Sequence, residues 1–191
     1  MRIAGGRLKG RLLSGPSSLA IRPTSDRLRE SLFNILVHAY GDPVAGARVV
    51  DVFAGTGALG LEALSRGARS VLFVDDGAEA RALLRGNIEA LGFGGHTRIY
   101  RRDATKLGDA PAGDPFTLAF LDPPYGRGFA EPALAALRDG GWLAPAALVV
   151  VEESAAARLD VPDGFALAER RAFGETQLVF LRAGDASLLN L

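Results

Sequence analysis

Val49-Val50-Asp51-Val52-Phe53-Ala54-Gly55-Thr56-Gly57-Ala58-Leu59-Gly60 decides how the rest of the chain is read. A short β-branched run reaches an acid, a glycine-rich turn follows, and Leu61 to Arg66 then favours a helix. Strand, tight loop and helix N-terminus form the layout that binds the adenosine half of a nucleotide-like cofactor. Gly55 and Gly57 let backbone approach a ligand where a Cβ would block it. The loop alone leaves the cofactor open, because Gly55, Gly57 and Gly60 also satisfy the dinucleotide fingerprint.

Two further features separate the cofactors. Asp51 stands just before the loop, where a pyrophosphate would lie. A carboxylate there repels phosphate and suits an ammonium or sulfonium, so S-adenosylmethionine fits better than NAD. Far downstream, the apolar run Leu118-Ala119-Phe120-Leu121 ends in Asp122-Pro123-Pro124-Tyr125. With Phe53-Ala54-Gly55-Thr56-Gly57 as its partner motif, this chain resembles the class I methyltransferases that modify exocyclic amino groups of nucleobases.

Composition bounds the remaining choices. A chain of 191 residues suits one domain with a sizeable core. No apolar run reaches the roughly 18 residues of a membrane span, and no secretory h-region opens the chain, so a cytoplasmic protein is expected. Cysteine is absent, which excludes disulfides, cysteine zinc sites and cysteine nucleophiles. His38 and His96 are too few and too far apart for a metal site, so no metal is expected. The net charge of zero is uneven: residues 1–30 carry seven bases against two acids, leaving −5 for the rest. A basic N-terminal arm on a mildly acidic body favours docking onto a polyanion, although a solvated arm would show the same charge.

In chain order, Arg2 to Leu13 alternates basic and apolar residues around Gly5-Gly6 and predicts a small β-hairpin with one basic face. Pro23 and a Thr24-Ser25-Asp26 cluster open a helix with Leu28, Leu32, Ile35 and Leu36 on one side. The spacing then predicts strands at Arg48–Phe53, Ser70–Val74, Thr97–Arg101, Thr117–Leu121 and Ala147–Val151. Helices are expected at Ala58–Arg66, Ala78–Leu91 and Glu131–Arg138. Phe165–Arg171 and Gln177–Arg182, joined through Gly174, predict a closing hairpin. Strands alternating with short helices mean a mainly parallel sheet covered on both faces. The expected architecture is an α/β, Rossmann-like, seven-stranded sheet with an antiparallel last strand. Residues 1–20 form a basic hairpin extension and 21–183 the methyltransferase domain.

Methyl transfer from a sulfonium is an in-line displacement, so an enzyme mainly positions and desolvates the reactants. An exocyclic amine is a poor nucleophile because its lone pair is delocalised into the ring. Asp122 and the carbonyl of Pro123 can each accept one N–H and pull that lone pair out of conjugation. The two prolines stiffen the backbone that aims the carbonyl, and Tyr125 offers a face on which a flipped base can stack.

The basic N-terminal segment, Arg22-Pro-Thr-Ser-Asp-Arg-Leu-Arg-Glu-Ser-Leu-Phe-Asn34, Asp51–Leu64 and Asp122–Tyr125 follow one another in an order that is similar to the bacterial small-subunit ribosomal RNA guanine-N2 methyltransferases of the RsmD family. The resemblance covers nearly the whole chain, and residues 22–34 are its most family-specific part. It implies that Asp51, Phe53, Ala54, Gly55 and Gly57 surround methionine and ribose, and that Asp75, twenty residues beyond Gly55, meets the ribose hydroxyls. Asp103 and Ala104 fall at the adenine edge, although Asp103 reads equally well as a helix cap. Relatives usually carry glutamate where this chain has Asp75. Asp122, Pro123 and Tyr125 carry the chemistry, while Pro124, Arg7, Lys9, Arg11 and Arg22 meet RNA. The implied partner is small-subunit ribosomal RNA or the assembling 30S particle, with no membrane and the chain acting as a monomer. Three rivals remain: an adenine-N6 methyltransferase, for whose usual recognition domain these 191 residues leave no room; an NAD-dependent oxidoreductase; and a non-catalytic RNA-binding domain.

Overall fold

The strand order of the sheet, β3-β2-β1-β4-β5-β7-β6, reverses direction between β1 and β4. In a computed structural model, which describes residues 1–16 and 25–184, these strands are β1 (Arg48–Val52), β2 (Ser70–Val74), β3 (Thr97–Tyr100), β4 (Phe116–Leu121), β5 (Leu143–Ser154), β6 (Phe165–Phe173) and β7 (Thr176–Ala183). The first five run parallel; β7 lies antiparallel between β5 and β6. A crevice opens at the carboxyl ends of the strands where such a sheet reverses order, which is where α/β proteins hold their ligands. Both sequence motifs end strands at that point.

The helices are α1 (Asp26–Ala39), α2 (Ala58–Ser65), α3 (Ala78–Leu91) and α4 (Ala130–Asp139). Val49, Phe73 and Phe120 point to one face of the sheet, packing with Phe33 and Leu36 of α1, Leu61 of α2 and Leu84 of α3. Val50, Leu121 and Leu181 point to the other, against Leu134 and Leu137 of α4 and Trp142. Burial on both faces explains why β1 reads as an almost unbroken apolar run. Helix α1 begins where Ser25 accepts a hydrogen bond from the Leu28 amide at 3.1 Å, and α3 ends on Gly92 in the left-handed conformation. The Pro23–Thr24 part of the predicted helix opening lies outside the described residues.

Two elements differ from the sequence reading. Strand β5 starts four residues earlier than expected, because Phe116 pairs with Leu143 before a bulge at Ala146 (φ +60°) resets the register to Leu118–Leu148. Pro145 within that bulge hides the early start. The predicted N-terminal hairpin is a looser strap: one antiparallel bridge, Arg2 to Leu12, closes a loop whose tip is a 3-10 turn over Gly6–Leu8. Gly5-Gly6 is not a two-residue turn. A Cβ on Gly6 (φ +74°) would sit 2.0 Å from the Ser65 carbonyl oxygen, so the glycine is where the strap presses on the end of α2.

The strap is anchored rather than solvated. Ile3 and Leu13 are buried in the core shared with α1, α2 and α3. Glu62 of α2, fully buried, accepts from the amides of Ala4 and Gly5 (both 2.7 Å) and pairs with Arg66 (2.7 Å) and the buried Arg29 (3.4 Å). Asn87 of α3 accepts from the Ser14 amide at 2.8 Å and donates to the carbonyls of Ser14 and Thr56. One side chain thus ties the strap to the glycine loop.

Candidate active site

The glycine loop leaves β1 with Phe53 at φ +61°, a conformation that costs a non-glycine residue free energy and recurs at functional sites. Gly55 (φ +55°) and Gly57 (φ +80°) continue the turn, and Gly57 caps α2. A Cβ on Gly57 would lie 2.3 Å from Leu84 Cδ1, and one on Gly60 would lie 2.4 Å from the Phe73 ring. Those two glycines let α2 and α3 close onto the sheet, which leaves Gly55 as the one at the crevice. The Phe53 ring stacks on Phe129, with centroids 6.3 Å apart.

Three carboxylates surround the loop in different settings. Asp51 lies one residue before the end of β1 and is turned beneath the loop, almost completely buried. Its Oδ2 accepts from the Gly60 amide at 2.9 Å, in the first turn of α2. Burial pushes its pKa up to about 8; the Gly60 bond opposes this and the negative charge of Asp75 adds to it. Asp75 accepts from the Gly55 amide (2.9 Å) with Oδ2 and from the Gly77 amide (2.8 Å) with Oδ1, while Arg81 donates to its carbonyl. Asp103, exposed, caps the turn Ala104–Lys106 through the amide and hydroxyl of Thr105, and these bonds hold its carboxyl below the usual range. Of the two roles open to it from sequence, the cap is the one its contacts display.

Opposite the loop, the Leu121–Val52 register brings the Asp122–Tyr125 turn beside Phe53. The Asp122 amide donates to the Val52 carbonyl at 3.3 Å. Pro123 is buried and Pro124 exposed. The half-buried Tyr125 donates its hydroxyl to Glu152 Oε1 at 2.7 Å and lies 3.0 Å from the Thr176 hydroxyl. Burial raises the Tyr125 phenol well above its ordinary value, and the nearby charges of Glu152 and Asp122 raise it further, so it stays protonated. Glu153 accepts from the Gly126 amide at 3.1 Å. The two glutamates that end β5 therefore clasp this turn from the next strand. The sequence reading passed over Glu152, Glu153 and Thr176. The signal was there: two acids close an otherwise apolar run, Val149-Val150-Val151, at the sheet edge where ligands bind.

The predicted RNA contacts fall elsewhere. Arg7 lies over the Phe93 ring at 4.9 Å, and Arg11 donates to the Ala90 carbonyl at the end of α3. Lys9 is exposed at the strap's tip. These three sit toward the amino-terminal end of the sheet, away from Asp122. Arg22 lies outside the described residues. Next to Tyr125, a groove of about 490 Å³ runs between the start of α1 (Ser25, Arg27, Leu28) and the β6–β7 turn (Phe173, Gly174, Thr176).

For a cationic cofactor the residues fit. Two carboxyl groups lie under and beside the loop, and among the described residues no cation pairs with the buried Asp51, whose raised pKa leaves it ready to ionise against a cationic ligand. The reversed sheet order, the acid-bearing glycine loop and the Asp-Pro-Pro-Tyr turn facing it together define a class I methyltransferase. Among solved structures, one from Escherichia coli superposes with a TM-score of 0.81 at 33% identity over 96% of this chain and 98% of its own. One from Haemophilus influenzae gives 0.77 at 30% identity over 96% and 98%. The family model described as "Conserved hypothetical protein 95" matches residues 1–182. A ribosomal RNA small subunit methyltransferase D of Escherichia coli is 40% identical over 177 residues, 92% of this chain and 86% of the relative. The chain belongs to this family of methyltransferases.

Proposed function

We propose that the protein transfers a methyl group from S-adenosylmethionine to the N2 amine of a guanine in small-subunit ribosomal RNA. The observation that carries the reading is the Asp122 amide bonded to the Val52 carbonyl. It seats the amine-binding turn against the start of the glycine loop, at the point where the sheet reverses. The relatives named for small-subunit ribosomal RNA supply the substrate.

When bound, S-adenosylmethionine supplies an electrophilic methyl on a sulfonium. The chain's own residues do the rest. Asp75, already accepting from Gly55 and Gly77, is the acid for the ribose hydroxyls, while Asp51, buried beneath the loop with its pKa raised to about 8, can ionise there against a cationic ligand. Phe53, Ala54 and Gly55 shape the pocket for methionine and ribose, with Gly57 holding the end of the loop against α3, and Asp103 with Ala104 borders the adenine. Asp122 and the Pro123 carbonyl accept the two N–H groups of the target amine, so its lone pair turns toward the methyl. Tyr125, fixed by Glu152 and Thr176, presents its ring to an unpaired base, which costs least to extrude from a loop. Pro124, exposed beside it, borders the same base. The enzyme works in the cytoplasm, on RNA or an assembling particle.

Incubating the protein with small-subunit ribosomal RNA and methyl-labelled S-adenosylmethionine, then digesting to nucleosides, tests this. Label in N2-methylguanosine is expected. Label in N6-methyladenosine would reject guanine and promote the adenine-N6 reading.

A further inference from the structure

At the end of the sheet opposite the reaction, the starts of β1 to β4 enclose a cavity of about 530 Å³. Arg48, Arg69, Arg98 and His96 line it, with no acid among the lining residues. The chain as a whole is neutral, so this is a local concentration of charge. Arg48 is held against the Phe116 ring, 5.2 Å from its centroid. Among the described residues it pairs with the exposed Asp114 at 3.8 Å, a pairing of little strength in water. Arg69 and Arg98 are exposed. Guanidinium groups on a concave surface select phosphate oxygens by their fixed fork of donors. Phe116 is buried and covered by Arg48, so the cavity offers no open aromatic face for a base.

The strap extends the same charged end. Arg7 covers Phe93, two residues before Gly95 of the cavity wall, and Arg11 is tied to Ala90 just upstream. The face is remote from the chemistry: Phe116 and Asp122 stand at opposite ends of β4, and six residues at about 3.3 Å each separate them by roughly 20 Å.

We propose that this cavity is a second docking site, which grips the sugar-phosphate backbone of the substrate RNA about 20 Å from the base being methylated. It would orient a stem while the catalytic end takes the loop. The proposal rests on the ribosomal RNA reading above.

The test is the double variant Arg69→Ala/Arg98→Ala, whose exposed side chains leave the fold intact. Its binding to a small-subunit ribosomal RNA fragment is measured across a salt series, with a lysine pair (Arg69→Lys/Arg98→Lys) and an isolated-loop RNA as controls. On the long fragment we expect affinity to fall about tenfold or more, and the log–log salt slope to shrink by about 1.5, for two phosphates lost. The lysine pair should keep the slope. The isolated loop should bind variant and parent alike, and the affinity for S-adenosylmethionine and kcat at saturating RNA should not move. An unchanged slope on the long fragment overturns the proposal, as does an equal loss on the isolated loop. Methylation by the parent protein is scored separately. Failure of the cavity leaves that activity in place, whereas failure of the functional reading removes it while the binding slopes still judge the cavity.

Discussion

Replacing Glu152 with glutamine should slow methyl transfer through Tyr125, without Glu152 touching either substrate. The carboxylate is 6% exposed and takes the tyrosine hydroxyl at 2.7 Å. A hydrogen bond to a charged group contributes about 1.5–3 kcal/mol. Glutamine keeps the shape and a neutral acceptor, and Thr176 still lies 3.0 Å from the hydroxyl, so about half of that, ~1–1.5 kcal/mol, should be lost. At 1.36 kcal/mol per factor of ten, kcat should fall by roughly 5- to 15-fold. Tyr125→Phe removes both bonds at once and should cost about 30- to 100-fold, since small misplacements of a positioned group are expensive. The double variant should be no slower than Tyr125→Phe, because the effect of Glu152 on the rate runs through the tyrosine hydroxyl. The coupling energy should equal the whole Glu152→Gln effect. Single-turnover methylation of a ribosomal RNA fragment gives the rates, and calorimetry should show S-adenosylmethionine affinity unchanged within about twofold. Effects that simply multiply in the double variant would refute the reasoning. So would a loss of cofactor affinity as large as the loss of rate.

Asp122→Ala should keep S-adenosylmethionine affinity and lower the single-turnover rate by about 10²- to 10⁴-fold, the scale for a group acting on the reacting amine; near-normal rates would remove Asp122 from the chemistry. Glu62→Ala takes the acceptor from two strap amides and one of several from the buried Arg29, which keeps its pair with Asp26, at a cost of about 2–4 kcal/mol. Thermal unfolding should therefore fall by on the order of 10 °C, and a drop under about 3 °C would show that the anchor contributes little. Asp51 makes a pH prediction. Its pKa of about 8 in the folded protein lies above the ordinary 3.8, so folding retains a proton that the unfolded chain gives up. Its contribution to stability is complete below pH ~4, declines as pH rises to ~8 and is flat beyond. A cationic ligand favours the ionised form, so S-adenosylmethionine should bind more tightly as pH rises toward 8, releasing a proton. Asp51→Asn should flatten both trends in denaturant unfolding and in calorimetry with buffers of different ionisation heat, whereas a binding trend of opposite sign would refute the assignment.

Periodicity and turn chemistry alone located nearly every element, with β2 and α3 matching to the residue. That works because strands buried on both faces carry continuous apolar runs and α3 carries one apolar stripe between a loop and Gly92. The same local information identified the glycine loop and the Asp122–Tyr125 turn, whose residue types follow from backbone geometry and hydrogen-bonding needs within a few positions. Contacts between distant positions were not legible. Asp51 and Gly60 are nine residues apart, and only the packing of α2 turns that carboxylate under the loop. Glu152 and Thr176 meet Tyr125 because β5 neighbours β4 and β7 neighbours β5, an order that periodicity does not encode. Arg7, Lys9 and Arg11 showed their charge in the sequence. Their place at the far end of the sheet depends on Glu62 and Ser65 receiving the strap, through bonds that span more than fifty residues. A local pattern reports what a residue's own backbone requires; which partner satisfies a buried charge is decided only when the chain closes on itself.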